Sequence, residues 1–153
     1  MSDRVSVSIT RQEKYRFVVD FGPAIDAMVA DEPAPLGDTA GPSPSQLLAA
    51  AVANCLSASL VFAFNKFRED PGPMTATAVC EIGRNEKNRL RVLGIEVTLA
   101  LGVVPADQGH LQRALAQFEE FCTVSQSVRA GVPIRVAVAG PDGAMLRPAQ
   151  PIG

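Results

Sequence analysis

Residues 43–68 read SPSQLLAAAVANCLSASLVFAFNKFR, and this stretch predicts the central element of the structure. Ser43 suits the N-cap of a helix and Pro44 its first turn, where a missing N–H costs nothing. The DPGP sequence that begins at Asp70 ends the helix near Arg68. Its middle turns are apolar nearly all round, so we expect a long, buried central helix that is covered on every side. A sheet would cover one face, and another helix or chain the other.

The same helix is almost long enough to cross a membrane. From Leu47 to Phe64, 18 residues contain only four polar interruptions, which is the lower end of a spanning length. However, the segment consists mainly of alanine, which inserts into membranes more weakly than leucine or phenylalanine. Alanine and serine are typical of close helix packing within a protein. We therefore interpret the segment as a core helix and expect no membrane partner.

Strand patterns flank the helix on both sides. Alternating residues from Val5 to Ile9, and β-favouring residues from Tyr15 to Phe21, predict an N-terminal β-hairpin region over residues 1–31. A proline-rich loop follows, long enough to be a candidate functional loop. The later segments are assigned as strands over 74–83, 90–101 and 132–139, helices over 105–128, and a loosely packed tail over 141–153. This order predicts a single α+β domain over residues 1–153 with a mostly antiparallel sheet.

Composition excludes some functions. The chain has 14 basic and 16 acidic residues and a net charge of −2, whereas nucleic-acid binders usually carry a basic excess. It also contains seven Phe, one Tyr and no Trp, too few aromatic side chains for a base-stacking surface. We therefore expect no nucleic-acid partner.

The three cysteines stand at positions 55, 80 and 122. An odd number without a secretory signal favours the reducing cytoplasm. With no Cys-x-x-Cys pair and only His110, we expect neither a zinc site nor histidine-based catalysis. Cys80 alternates with alanines along a strand and suits a core position. Cys55 has polar neighbours, and Cys122 lies at the start of a short helix, whose dipole would lower its pKa. Inert core residues and a redox pair both remain open for these two cysteines.

Two sequence blocks resemble a known family. The first, GPSPSQLLAAAVANCL, runs from Gly41 and places Cys55 eleven residues after Pro44; the second is CTVSQSV from Cys122. Together they are similar to the OsmC/Ohr family of osmotically inducible and organic hydroperoxide resistance proteins. The order of elements is similar over nearly the whole chain.

The resemblance implies an intertwined homodimer in which two long helices pack at the centre. It also implies a thiol peroxidase of the oxidative stress response. Cys55 would be oxidised by an organic hydroperoxide, and Cys122 would resolve the product as a disulfide. A dithiol such as dihydrolipoamide would then restore both thiols, with no other cofactor. An arginine of the N-terminal hairpin would hold Cys55 as a thiolate, with Arg11 the best match and Arg16 the second.

The chain departs from the family pattern at two positions. Ser45 stands where the peroxidase branch usually has a glutamate that pairs with the arginine, and Thr123 replaces the usual proline. By position, Ser45 and Gln46 are assigned to substrate binding. Glu32, Glu119 and Glu120 are candidates to replace the glutamate, although an exposed charge is the simpler interpretation of each. The alternative function is a non-peroxidase relative that binds an apolar ligand at the dimer interface or senses redox state.

Overall fold

The computed structural model describes residues 2–153, which divide into two compact units. The first unit ends at Leu48, and the second runs from Ala49 to Gly153. A long helix, α1 (Pro44–Asn65), begins in the first unit and ends in the second. Strands and helices occur together in the chain, which confirms the α+β class.

The first unit contains a three-stranded antiparallel sheet. Its strands are β1 (Ser8–Glu13), β2 (Arg16–Asp20) and β3 (Met28–Ala30), in the order β1-β2-β3. Lys14 has a φ of 43° and makes the tight turn between the first two strands. The first two strands form the predicted hairpin, and the third strand also lies within residues 1–31. The sheet and the start of α1 line an apolar groove of about 560 Å³.

A capping box begins α1. The Oγ of Ser43 accepts a hydrogen bond from the N–H of Gln46 (3.3 Å), and the Oε1 of Gln46 accepts one from the N–H of Ser43 (2.9 Å). Two N–H groups that the first turn would leave unpaired are thereby satisfied. The N-cap predicted at Ser43 is confirmed.

The other end of α1 lies earlier than predicted. The helix ends at Asn65 instead of continuing to Arg68, because Arg68 has a φ of 57° and cannot extend it. The N–H of Arg68 bonds to the carbonyl of Asn65 (3.0 Å), and that of Glu69 reaches back to Phe64 (3.1 Å). This is the Schellman pattern, which satisfies the last carbonyls of a helix.

Within the single chain α1 is buried on one face only, and the expectation that another helix or chain covers the other face stays a prediction. Val52, Leu56 and Phe64 are fully buried, but Phe62 on another face is 52% exposed. By length and composition α1 could cross a membrane, and 39% of its most apolar window is buried within the chain. A core helix of a soluble protein meets the same criteria, so this finding alone is weak support for a membrane span.

The second unit contains a four-stranded sheet in the order β4-β5-β6-β7. These strands are β4 (Thr75–Arg84), β5 (Leu90–Ala100), β6 (Ile134–Ala139) and β7 (Met145–Pro151). The outer pairs are antiparallel, and β5 pairs with β6 in parallel. A parallel pair needs a crossover connection. Here the crossover contains α2 (Gln108–Gln117), a 3-10 turn (Phe118–Phe121) and α3 (Thr123–Val128).

The prediction of a loose tail over 141–153 is wrong, because β7 forms an edge of the sheet in that segment. Proline cannot donate a ladder hydrogen bond, which made a strand there seem unfavourable. Pro151 lies at the end of the strand, and Pro148 lies where the register with β6 shifts between Val136 and Val138. An edge strand with an irregular register tolerates prolines at such positions.

Candidate functional site

Two of the three cysteines lie side by side. Cys55 belongs to α1 and is half-buried, whereas Cys122 follows the 3-10 turn and is completely buried. Although they are 67 residues apart in sequence, their thiols are close enough to influence each other's ionisation. All three cysteines are free thiols. Cys80, on β4, is half-buried and was predicted to be a core residue.

The pKa of Cys122 is higher than that of an ordinary thiol. Burial is the main cause, and the neighbouring thiol of Cys55 adds to it. Ser125 opposes this rise, because its backbone N–H donates to the sulfur of Cys122 at 3.4 Å. The predicted lowering of this pKa by a helix dipole is therefore wrong. The N–H of Ser125, in the first turn of α3, lowers this pKa by less than burial raises it.

An open groove of about 430 Å³ leads to Cys55. It is lined by Cys55, Ala58, Ser59, Phe62 and Phe121. The rings of Phe62 and Phe121 meet edge to face, 5.1 Å between centroids. The groove therefore offers a largely apolar surface next to one thiol, while Cys122 has no exposed surface.

The structure separates the two candidate arginines by their partners. The Nε of Arg11 donates to the carbonyl of Lys14 (3.0 Å). Arg16 instead lies among carboxylates: its Nη1 is 3.1 Å from Glu13, its Nη2 is 3.4 Å from Asp38, and its buried Nε is 3.9 Å from Asp31. A guanidinium surrounded in this way is restricted in orientation. Sequence reasoning missed Asp31 and Asp38 as its partners.

Asp31 organises the proline-rich loop. Its buried carboxylate accepts hydrogen bonds from the N–H groups of Glu32 (2.9 Å), Asp38 (3.0 Å) and Ala40 (3.1 Å). These donors, Ala40 first, hold the pKa of Asp31 below its ordinary value, and Arg16 adds to the effect. A side chain at Gly37 would collide with this carboxylate, which explains the glycine. The expected functional loop is thus an ordered segment that also contacts Arg16.

The two residues assigned to substrate binding lie in the first turn of α1. Gln46 is engaged in the capping box with Ser43, and Ser45 is half-buried. The capping role gives Gln46 a structural function that does not depend on any substrate. Their assignment to substrate binding stays a prediction.

The three candidate glutamates differ in their surroundings. Glu120 is exposed and Glu32 is half-buried. The expectation of an exposed charge is wrong for Glu119, whose side chain is only 13% exposed and contacts Arg147. The Nδ1 of His110 lies 2.8 Å from the Oε1 of Glu69, and its ring stacks on Phe67; both partners lie outside the two cysteine motifs. Within residues 2–153, no group of three or more His, Cys, Asp or Glu side chains is arranged to hold a metal ion.

The sequence matches the model of one protein family. The family model described as OsmC-like protein matches residues 37–137. The chain therefore belongs to the OsmC-like family, as the resemblance of its two sequence blocks indicated. Comparison with curated protein sequences gave no significant match.

Solved structures share the fold at low sequence identity. An OsmC-like protein from Mycoplasma pneumoniae superposes with a TM-score of 0.77 at 11% identity, covering 92% of this chain and 99% of that one. An OsmC-like protein of unknown function from Vibrio cholerae gives a TM-score of 0.74 at 18% identity, covering 90% and 99%. The organic hydroperoxide resistance protein OhrB of Bacillus subtilis gives 0.66 at 18% identity, covering 89% and 98%. At these identities the likeness shows a common fold.

Proposed function

We propose that this protein is a thiol peroxidase that reduces organic hydroperoxides. The observation that carries the proposal is the pair of neighbouring thiols with different exposure. Cys55 borders an open apolar groove, whereas Cys122 is reached only through the protein. A hydroperoxide with an apolar group would therefore meet Cys55 first. This assigns Cys55 as the oxidised residue and Cys122 as the resolving one.

The reaction proceeds in two steps on the protein. The Cys55 thiolate attacks the terminal oxygen of the hydroperoxide, the O–O bond breaks, and the alcohol leaves with a proton. Cys55 is now a sulfenic acid, which the Cys122 thiol attacks at sulfur, releasing water and forming a disulfide. An external dithiol then reduces this disulfide by exchange and becomes oxidised itself.

An arginine completes the proposed site by favouring the Cys55 thiolate and the charge that develops on the peroxide. Arg11 was the first choice from sequence, and it stays a prediction. Arg16 gains support from its carboxylate partners, because Asp31 and Asp38 provide the orientation that Ser45 cannot. Comparing Arg11→Met with Arg16→Met distinguishes the two, since only replacement of the functional arginine should lower the rate of Cys55 oxidation.

We also propose that the protein works as a homodimer in a reducing compartment, the cytoplasm. The exposed Phe62 and alanines of α1 form an apolar helix face that a second chain would cover. Three free thiols are compatible with reducing conditions. Sedimentation of the reduced protein tests the dimer, and a monomer at micromolar concentration would contradict it.

Peroxide consumption tests the proposed function. The reduced protein is mixed with cumene hydroperoxide and dithiothreitol, and the remaining peroxide is followed with time. We expect Cys55→Ser to abolish consumption, Cys122→Ser to form no disulfide with Cys55, and Cys80→Ser to leave consumption unchanged. Cys80 is the matched control, because it is also a half-buried free thiol but does not line the groove. Unchanged consumption by Cys55→Ser would refute the proposal.

A second candidate function, binding of an apolar ligand, is favoured by the groove on the three-stranded sheet. Its walls include Ile9, Phe17 and Phe21, and its surface is almost entirely apolar. This function predicts saturable binding of a hydrophobic fluorescent probe by the dimer, independent of Cys55. A protein that binds such a probe but consumes no peroxide would support this candidate over the first.

A further inference from the structure

The edge strand β7 reaches the segment that carries Cys122. The Nη1 of Arg147 on β7 lies 2.6 Å from the Oε1 of Glu119, three residues before Cys122. The two side chains are only 12% and 13% exposed. Within residues 2–153, neither of these two atoms has a geometrically aligned hydrogen bond. Their contact is therefore an ion pair, and removing one partner would leave the other charge buried without compensation.

Arg147 is held in place by two further contacts. The guanidinium of Arg147 lies 5.4 Å from the ring centroid of Phe118, which is fully buried. The amide of Gln150, with its oxygen turned towards Arg147, accepts from the Nε of that arginine at 2.7 Å and from its Nη2. Phe118 and Gln150 thus orient the guanidinium of Arg147 independently of Glu119.

Glu119 is in turn connected to the Cys122 turn through its backbone. Its carbonyl oxygen accepts from the N–H of Cys122 and from the Nε2 of Gln126, both at 3.1 Å. The same Nε2 also lies 3.2 Å from the carbonyl of Gly153, beyond β7. The residues on either side of Cys122 are therefore attached at two points to the segment that contains β7.

We propose that Arg147 and Glu119 are positioning residues that hold Cys122 ready to attack oxidised Cys55. The proposal rests on the function proposed above, and it concerns the second chemical step alone. That step needs the sulfur of Cys122 to come within bonding distance of the sulfenic sulfur, and small displacements lower such rates strongly. The first step involves only Cys55 and the peroxide, so it does not depend on this ion pair.

The two steps can be measured separately. Each reduced variant is mixed with one equivalent of cumene hydroperoxide, and samples are quenched with acid at successive times. Peroxide loss reports oxidation of Cys55, and a mass decrease of 2 Da reports the disulfide. In Arg147→Met we expect unchanged peroxide loss and disulfide formation slowed by about 10- to 100-fold. Excess peroxide should then convert Cys55 to the sulfinic acid, a mass increase of 32 Da.

Arg135 provides the matched control. It lies on β6 and donates to the carbonyl of Ala149 on β7 (2.7 Å), so Arg135→Met removes a bond to the same strand without touching Glu119. We expect normal disulfide formation in this variant. In Arg147→Lys, which keeps the charge, the rate should recover at least partly. An equal slowing in both methionine variants, or an equal slowing of both steps in Arg147→Met, would refute the positioning role.

Oxidation with diamide separates this inference from the proposed function. Diamide forms a disulfide from two thiols without any peroxide, and it is itself reduced to the hydrazine. If the wild-type protein consumes no peroxide but Arg147→Met still slows diamide-driven disulfide formation relative to Arg135→Met, the proposed function fails and the positioning role stands. If peroxide is consumed and the two variants do not differ with either oxidant, the positioning role fails and the proposed function stands.

Discussion

Oxidation of the thiol pair should stabilise the protein by an amount that follows from the chain length between the cysteines. A disulfide between Cys55 and Cys122 closes a loop of 67 residues. The loss of entropy in the unfolded chain corresponds to about 4 kcal/mol for a loop of that length. Since the side chains are already neighbours in the reduced protein, little of this gain should be lost to rearrangement. For a chain of this size the melting temperature should rise by roughly 8–16 °C.

The assay compares thermal unfolding of the protein before and after treatment with one equivalent of cumene hydroperoxide. Mass spectrometry on the same samples identifies the species, since a disulfide lowers the mass by 2 Da and a sulfenic acid raises it by 16 Da. Cys80→Ser should show the same rise in melting temperature as the wild type, and Cys122→Ser should show none. A disulfide that leaves the melting temperature unchanged or lowers it would refute the reasoning, because the thiols would then need a distorted fold to meet.

Three further predictions concern individual side chains. Gln46→Ala should lower the free energy of unfolding by about 1 kcal/mol without changing the KM for peroxide, because the side chain caps α1; a higher KM at unchanged stability would favour substrate binding instead. Burial raises the pKa of Cys122, so urea unfolding of the reduced protein should show a loss of stability as the pH rises past the ordinary thiol value of 9.0 and through the raised folded-state value. Cys122→Ala should lose less stability than the wild type over that pH range, and identical pH profiles of stability for the two proteins would contradict this. The lowered pKa of Asp31 has the opposite effect on the pH dependence of stability. The contribution of its charge to the free energy of unfolding is complete above pH 3.8 and is lost as the pH falls through the lower folded-state value. Asp31→Asn should therefore melt several degrees below the wild type at pH 7, with the difference in melting temperature narrowing as the pH falls below 3.8, and a constant difference would count against a role for the charge.

The elements with local signals could be predicted from sequence. The N-cap at Ser43, and the adjacent strands β4 and β5, depend on residues close together in sequence. The two cysteine motifs were also recognisable, since each is a short block. These features fixed the class of fold and the two thiols of the candidate site.

The rest depends on contacts between distant parts of the chain. Arg16 finds Asp31 and Asp38 through the loop, and no spacing in the sequence indicates that pairing. The strand β7 was missed because prolines usually argue against a strand. Its position at the edge of the sheet is what permits them, and that position is not visible in the sequence. The pKa of Cys122 was predicted in the wrong direction because the sequence shows the start of a helix but not the burial of the sulfur. Burial raises this pKa by more than the N–H of Ser125 lowers it.

The parallel pairing of β5 with β6 also has a consequence for the folding of the segment that carries Cys122. Ile95 pairs with Ile134, and the crossover between these strands carries Cys122. Closing so long a connection is entropically slow, so we expect this pairing to follow the local hairpin of β4 and β5. The segment that carries Cys122 should therefore reach its native place later than that hairpin forms. Refolding in oxidant would then trap the correct bond only after the native topology exists.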